Sequence, residues 1–233
     1  MISPRLVFAP LLMAGLALSA CGNSPELRAA GFSEMAPDLR ALASRRSASA
    51  APLQPTPGFP GLDPALVAGQ TVPMMGAYLE DRQALAGLVA VETNGGVVSW
   101  RTADNIGLSM SQSGLLIATR GLGGDLHAAD ISQTAALIAS GQSGTVRRSH
   151  VYLDGVYRPV PVDLTCTITP AGTETLVLNN RSLRTIRFDE TCRNGDTTVT
   201  NRYWRDATGP LIRQSSQWVG PGVGVVHLQR LIE

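Results

Sequence analysis

Asp125 and Asp130 flank the end of a Gly-rich stretch and are the best-placed pair of carboxylates in the chain. Glycoside cleavage needs two such acids about 5 to 10 Å apart. Spacing along the chain does not set that distance, and an Asp that follows Gly123-Gly124 serves equally to hold a turn or cap a helix. His127, His150 and His227 are the three histidines, and none stands at HxxxH spacing or beside a cysteine pair, which argues against zinc. No GxSxG elbow presents a nucleophilic serine. All 19 basic residues are Arg. Without a lysine amine, Schiff-base chemistry and a Walker-type phosphate loop are excluded. No catalytic residue, metal or cofactor is therefore expected.

Binding is the alternative use of such residues. In the stretch Thr119-Arg120-Gly121-Leu122-Gly123-Gly124-Asp125, glycines let backbone approach a partner closely or take positive φ. Arg120 and Asp125 can pair as an ionic clamp on that turn, or offer a donor and an acceptor to sugar hydroxyls. Trp100, Trp204 and Trp218 have flat apolar faces suited to a pyranose, although large aromatics also dominate cores. With 19 basic against 18 acidic residues, nothing steers the chain towards nucleic acid.

Cys21 has the clearest chemistry. One positive charge at Arg5 precedes the apolar run Leu6 to Leu18, which as a helix would span only about 20 Å, too short for the roughly 30 Å core of a bilayer. That is an export signal in residues 1–20. It ends in Leu18-Ser19-Ala20-Cys21, which resembles the lipobox of bacterial lipoproteins. Small residues admit a peptidase before the cysteine, the thiol takes a diacylglyceryl group, and two or more acyl chains make a stable membrane anchor. Gly22 follows where an Asp would signal inner-membrane retention, so the expected location is the outer membrane, periplasmic face.

Cys166 and Cys192 then remain as an even pair in an oxidising compartment, and a disulfide between them is expected.

These residues must be positioned by elements of two kinds. Residues 21–70 are rich in Ala, Ser and Pro, with Pro52, Pro55, Pro57, Pro60 and Pro64 close together, and read as a tether. A short helix within Met35 to Arg46 is its one helical window. Residues 71–233 change to short runs of Val, Ile, Thr and aromatics broken by turn signals, the pattern of one antiparallel β domain. Asn94-Gly95-Gly96, Asp154-Gly155, Pro170-Ala171-Gly172, Asn194-Gly195 and Gly209-Pro210 mark turns between about ten predicted strands. Ala129 to Ser140 is the clear helical window, with Asp130 or Ser132 as its cap.

Trp100-Arg101-Thr102, the run Gly114 to Leu126, Asp130, and the closing Tyr203-Trp204, Gly209, Ile212, Ser215, Gln217-Trp218 and Pro221 together resemble the YjbF family, the GfcB-like or group 4 capsule lipoproteins. The resemblance covers roughly Pro73 to Glu233. It implies a mainly β fold built on a large curved antiparallel sheet, half-barrel or sandwich-like, with one or two short helices. It also implies a periplasm-facing lipoprotein needed in exopolysaccharide or capsule export. Expected partners are the membrane through Cys21, the polysaccharide, and outer-membrane export proteins. No catalytic residue comes with the family. Gln217 joins Trp100, Arg120, Asp125, Trp204 and Trp218 as a candidate contact for glycan or partner.

Overall fold

A computed structural model describes residues 59–195 and 197–233. Cys21, the export signal and the helical window in 35–46 lie outside the described residues.

Twelve strands form one antiparallel sheet: β1 (Met74–Leu79), β2 (Ala84–Asn94), β3 (Val97–Arg101), β4 (Gly107–Ser111), β5 (Leu116–Arg120), β6 (Ala128–Asp130), β7 (Gly144–Leu153), β8 (Pro159–Leu178), β9 (Arg181–Asn194), β10 (Thr197–Asp206), β11 (Ile212–Gly220) and β12 (Gly224–Ile232). Their spatial order is β5-β4-β3-β2-β1-β12-β11-β10-β9-β8-β7-β6. Consecutive strands are neighbours everywhere but between β5 and β6, and the first and last also pair with each other: β1 lies against β12, with Ala77 opposite Leu228. The two edge strands, β5 and β6, are therefore consecutive in the chain, and the sheet curls until they approach in a nearly closed barrel.

Alternation drives the curl. On β8, Leu164, Cys166 and Ile168 are buried, while Asp163, Thr165, Thr167 and Thr169 face water. One face of each strand must find an apolar interior, and closing the sheet on itself supplies it. The interior has two continuous clusters, one around Met75, Leu88, Trp100, Leu116 and Leu126, the other around Leu115, Ile138, Ile168, Phe188 and Tyr203. Cys166 and Cys192, paired across β8 and β9, form the expected disulfide within the second.

Among the described residues there are two short α-helices, α1 (Pro64–Val67) and α2 (Ser132–Ser140). The predicted window for α2 opened at Ala129, but Ala129 and Asp130 belong to β6, and the Asp130 carboxylate accepts the Ser132 N–H at 3.0 Å. Thr134 and Ile138 are the residues α2 buries, and it joins β6 to β7 at one end of the barrel. That helix end also carries the β2–β3, β4–β5, β8–β9 and β10–β11 turns.

Three departures from the sequence reading have physical causes. Pro170-Ala171-Gly172 is a bulge within the 20-residue β8 and not a hairpin turn. Gly172 takes φ of 106°, and a proline without an N–H is tolerated at such a break in the ladder. β1 and the three-residue β6 went unpredicted: Met74-Met75-Gly76-Ala77 is buried on both faces and shows no alternation. Residues 59–67, grouped by composition with the tether, pack on the outer face of β1 and β12, where Phe59, Leu62 and Val67 are buried with Met74 and Leu231.

Candidate functional site

The Gly-rich loop closes the barrel seam. Its Asp125 carboxylate accepts hydrogen bonds from Gly121 N at 2.9 Å, Leu122 N at 3.0 Å and the Thr119 hydroxyl at 2.8 Å. Gly121 and Gly123 hold φ of 87° and 80°, a conformation that favours glycine. Backbone bonds then run from Thr119 N to Leu126 O and from His127 N to Val151 O, so the loop is sewn to β5 on one side and β7 on the other. An open edge would leave such groups unpaired.

Arg120 and Asp125 do not form the ion pair that their spacing allowed. The carboxylate is consumed by loop N–H groups, and the Arg120 guanidinium turns instead to carbonyls, donating to Thr119 O at 2.6 Å and Leu126 O at 3.3 Å. Arg120 is exposed and faces solvent at the end of the barrel opposite α2.

The other candidates are scattered. Gln217 is buried and spans the interior, accepting from Leu116 N at 2.8 Å and donating to Gly114 O at 3.0 Å, so it pins edge strand β5 from inside. Trp100 is buried in the wall, with the Arg230 guanidinium 5.5 Å from its ring centroid. Trp204 is buried among Leu176, Leu178 and Leu183, and donates to the Glu174 carboxylate at 2.6 Å. Trp218 is half-buried and stacks on His150, with centroids 5.6 Å apart and planes 15° from parallel. Trp100, Trp204 and Gln217 thus present no face to an outside polymer, whereas Arg120 does.

A larger polar constellation fills the interior between β7, β9, β10 and α2. Arg148 and Glu190 pair at 2.8 Å with side-chain exposures of 1 % and 0 %. Glu190 also accepts from Tyr203 OH at 2.6 Å, Asn201 Nδ2 at 2.7 Å and Thr134 Oγ1 at 2.9 Å. Burial works against the charge on Arg148, but Tyr203 and Glu190 outweigh it and keep the guanidinium protonated. Burial and the neighbouring Glu190 charge hold the Tyr203 hydroxyl well above its ordinary range, hence un-ionised.

Arg148 Nε–H donates to His150 Nε2 at 3.1 Å. Since Arg can only donate, Nε2 must accept, and the ring is neutral with its proton on Nδ1. Nδ1 faces Tyr152 OH at 3.0 Å, and that hydroxyl donates to Val219 O at 2.8 Å. Burial, with the Arg148 charge second, lowers the His150 pKa to about 3. A ring held neutral and bonded at both nitrogens is locked in one tautomer and supplies no proton near neutral pH.

Arg148, Glu190 and Asn201 were not singled out in the sequence, and Tyr203 entered only among the residues that carry the family resemblance. A signal existed, since Glu190 stands midway between Phe188 and Cys192 in the inward register of β9, and Arg148 and His150 share that register on β7. Charged residues in a buried register require partners. Cys166, Cys192 and Glu190 also lie together, but both sulfurs are spent in the disulfide.

The model of the family described as "Group 4 capsule polysaccharide lipoprotein gfcB, YjbF" matches residues 61–231. Among solved structures, the chain is similar to the lipoprotein YmcC from Escherichia coli K12, with a TM-score of 0.62 and 19 % identity, over 73 % of this chain and 88 % of that one. At that identity the likeness concerns the fold. A lipoprotein from Parabacteroides distasonis matches over 69 % of this chain and 93 % of its own at 10 % identity, with a TM-score of 0.33, too low to bear on the argument. No curated protein matches the chain.

Proposed function

The chain belongs to the YjbF family of group 4 capsule polysaccharide lipoproteins, and on that premise we propose that it is a non-enzymatic accessory of exopolysaccharide or capsule export. One observation carries the choice of binding over catalysis: Asp125, Asp130, Glu190 and His150 are spent in the fold. Asp125 holds the seam, Asp130 holds the start of α2, Glu190 accepts four hydrogen bonds, and His150 is bonded at both ring nitrogens. In this reading the barrel stands on the periplasmic face of the outer membrane, tethered through acyl chains on Cys21, and offers its surface to the polymer and to outer-membrane export proteins.

The test is a gene deletion complemented with wild type or with Cys21→Ala, scored by secreted against cell-retained polysaccharide. Loss of secretion that only the lipidated form restores supports the reading. Unchanged amount and location of polymer would overturn it.

A second reading, an envelope interaction protein without glycan contact, draws on the β7–β8 turn. Val156 is 67 % and Tyr157 84 % exposed there, and Tyr157 holds φ of 62°, a strained setting for a bulky residue. Asp154 fixes the turn by accepting from the N–H groups of Val156 and Arg158, each at 2.9 Å. A rigid display of exposed apolar groups suits a protein partner. Co-purification of a membrane barrel through this turn, free of sugar, would favour it.

A further inference from the structure

At the helix end, a groove of about 560 Å³ opens between the β8–β9 hairpin and the β10–β11 turn. That is within the roughly 300 to 1,000 Å³ typical of ligand sites. We infer that this groove binds an acidic glycan, its uronate carboxylates held by Arg181 and Arg184.

Charge is the first argument. Arg181, Arg184 and Arg213 line the groove against the single acid Asp206, a local excess of two positive charges in a chain whose total is +1. Asp206 is already satisfied, since Arg213 grips it through Nε at 2.9 Å and a terminal nitrogen at 2.7 Å. Arg213 also meets Glu233. Among the described residues, Arg181 and Arg184 meet no carboxylate, and both are exposed. Arg181 and Arg184, three apart on β9, project to opposite faces of the hairpin beyond its last pair with β10, so their guanidinium forks can grip carboxylates of a polymer that crosses this edge.

The rest of the lining suits a sugar. Ser182 and Thr173 bring hydroxyls able to donate and accept, and Thr208, whose hydroxyl donates to Asp206 at 2.7 Å, brings one able to accept, beside an apolar patch from Ile186. The frame is also rigid. The β8–β9 ladder is paired to its last residues, Leu178 with Arg181, across Asn179 and Asn180 at φ of 47° and 61°, the positive values a two-residue hairpin turn demands. Ala207 N donates to Arg184 O at 3.0 Å, which fixes the opposite wall. A site formed in advance loses little to ordering when it binds.

The inference rests on the export reading for its biological source, but its test does not depend on export. The full-length protein, solubilised through its anchor in detergent, is titrated with polygalacturonate fragments, with neutral dextran and with polyphosphate. Polygalacturonate is expected to bind and dextran not to. Affinity should fall at least tenfold in the Arg181→Gln/Arg184→Gln double variant, with its melting temperature unchanged, and should weaken as salt is raised. No binding of polygalacturonate, equal binding of dextran, or full affinity in the double variant would overturn the inference. Arginine-dependent capture of polyphosphate alone would assign the groove to phosphates and overturn it equally. Failure of these titrations leaves the export reading to the deletion strain, and normal export in that strain leaves the groove to the titrations.

Discussion

Arg148 on β7 and Glu190 on β9 form a 2.8 Å ion pair across the inner face of β8, the strand that separates them, with both side chains out of contact with water. Each charge depends on the other, because a lone buried charge costs several kcal/mol. Tyr203, Asn201 and Thr134 satisfy the remaining carboxylate positions and extend the lock to β10 and α2. Removing one partner, in Glu190→Gln or Arg148→Met, is expected to cost about 3 to 5 kcal/mol in urea unfolding. The Arg148→Met/Glu190→Leu double variant should be more stable than either single one, because no charge is left unpaired. A double variant no better than the worse single one would show that the pair is not the coupled unit described.

His150 makes stability depend on pH. Its pKa in the fold, about 3, lies below the unfolded value near 6.5, so the unfolded chain takes up the proton first. The stability that His150 contributes is present above pH 6.5 and is lost as pH falls towards 3, by up to about 1.4 kcal/mol per unit. Unfolding free energies of wild type and His150→Gln, measured between pH 7 and 4.5, should converge as pH falls, or cross. A constant difference across that range would mean that His150 is not held neutral.

The Cys166–Cys192 disulfide ties β8 to β9 over a separation of 26 residues. In the chain-entropy model, closing a loop of that length is worth about 3.5 kcal/mol. Reduction should lower the urea midpoint accordingly, and the intact protein should gain no mass from an alkylating reagent until it is reduced. Alkylation of the native, unreduced protein would contradict the bond.

Much of this architecture is legible in the sequence, because a half-buried strand must alternate and a tight turn must carry Gly or Asn. The β2–β3 hairpin around Gly95-Gly96 and the run of strands from Val146 onwards follow from those two rules. β1 escapes them because its buried residues occupy both faces, and β8 reads as two strands because a bulge and a turn share the same Pro and Gly chemistry. The site is harder to read for a different reason. Arg120, Asp125 and Gln217 are visible as polar residues in unusual places, but their partners are backbone groups, which the sequence does not distinguish. Glu190 gathers partners from β7, α2 and β10, and only the register of the closed sheet brings those elements together.

At the seam, Asp125 and Arg120 separate by consequence. Asp125→Ala leaves the Gly121 and Leu122 N–H groups and the Thr119 hydroxyl without their acceptor in a partly buried loop, and each such loss costs about 1 to 3 kcal/mol where water cannot enter. A fall of several degrees in melting temperature is expected, at about 2 to 4 °C per kcal/mol for a domain of this size. Arg120→Ala removes an exposed donor from two carbonyls, of which Leu126 O still accepts from Thr119 N. Its melting temperature should fall less. If Arg120→Ala instead destabilises as much as Asp125→Ala, the guanidinium is part of the clamp. If it keeps its melting temperature while the complemented deletion strain still retains its polymer, Arg120 is a contact for polymer or partner on the solvent side of the seam.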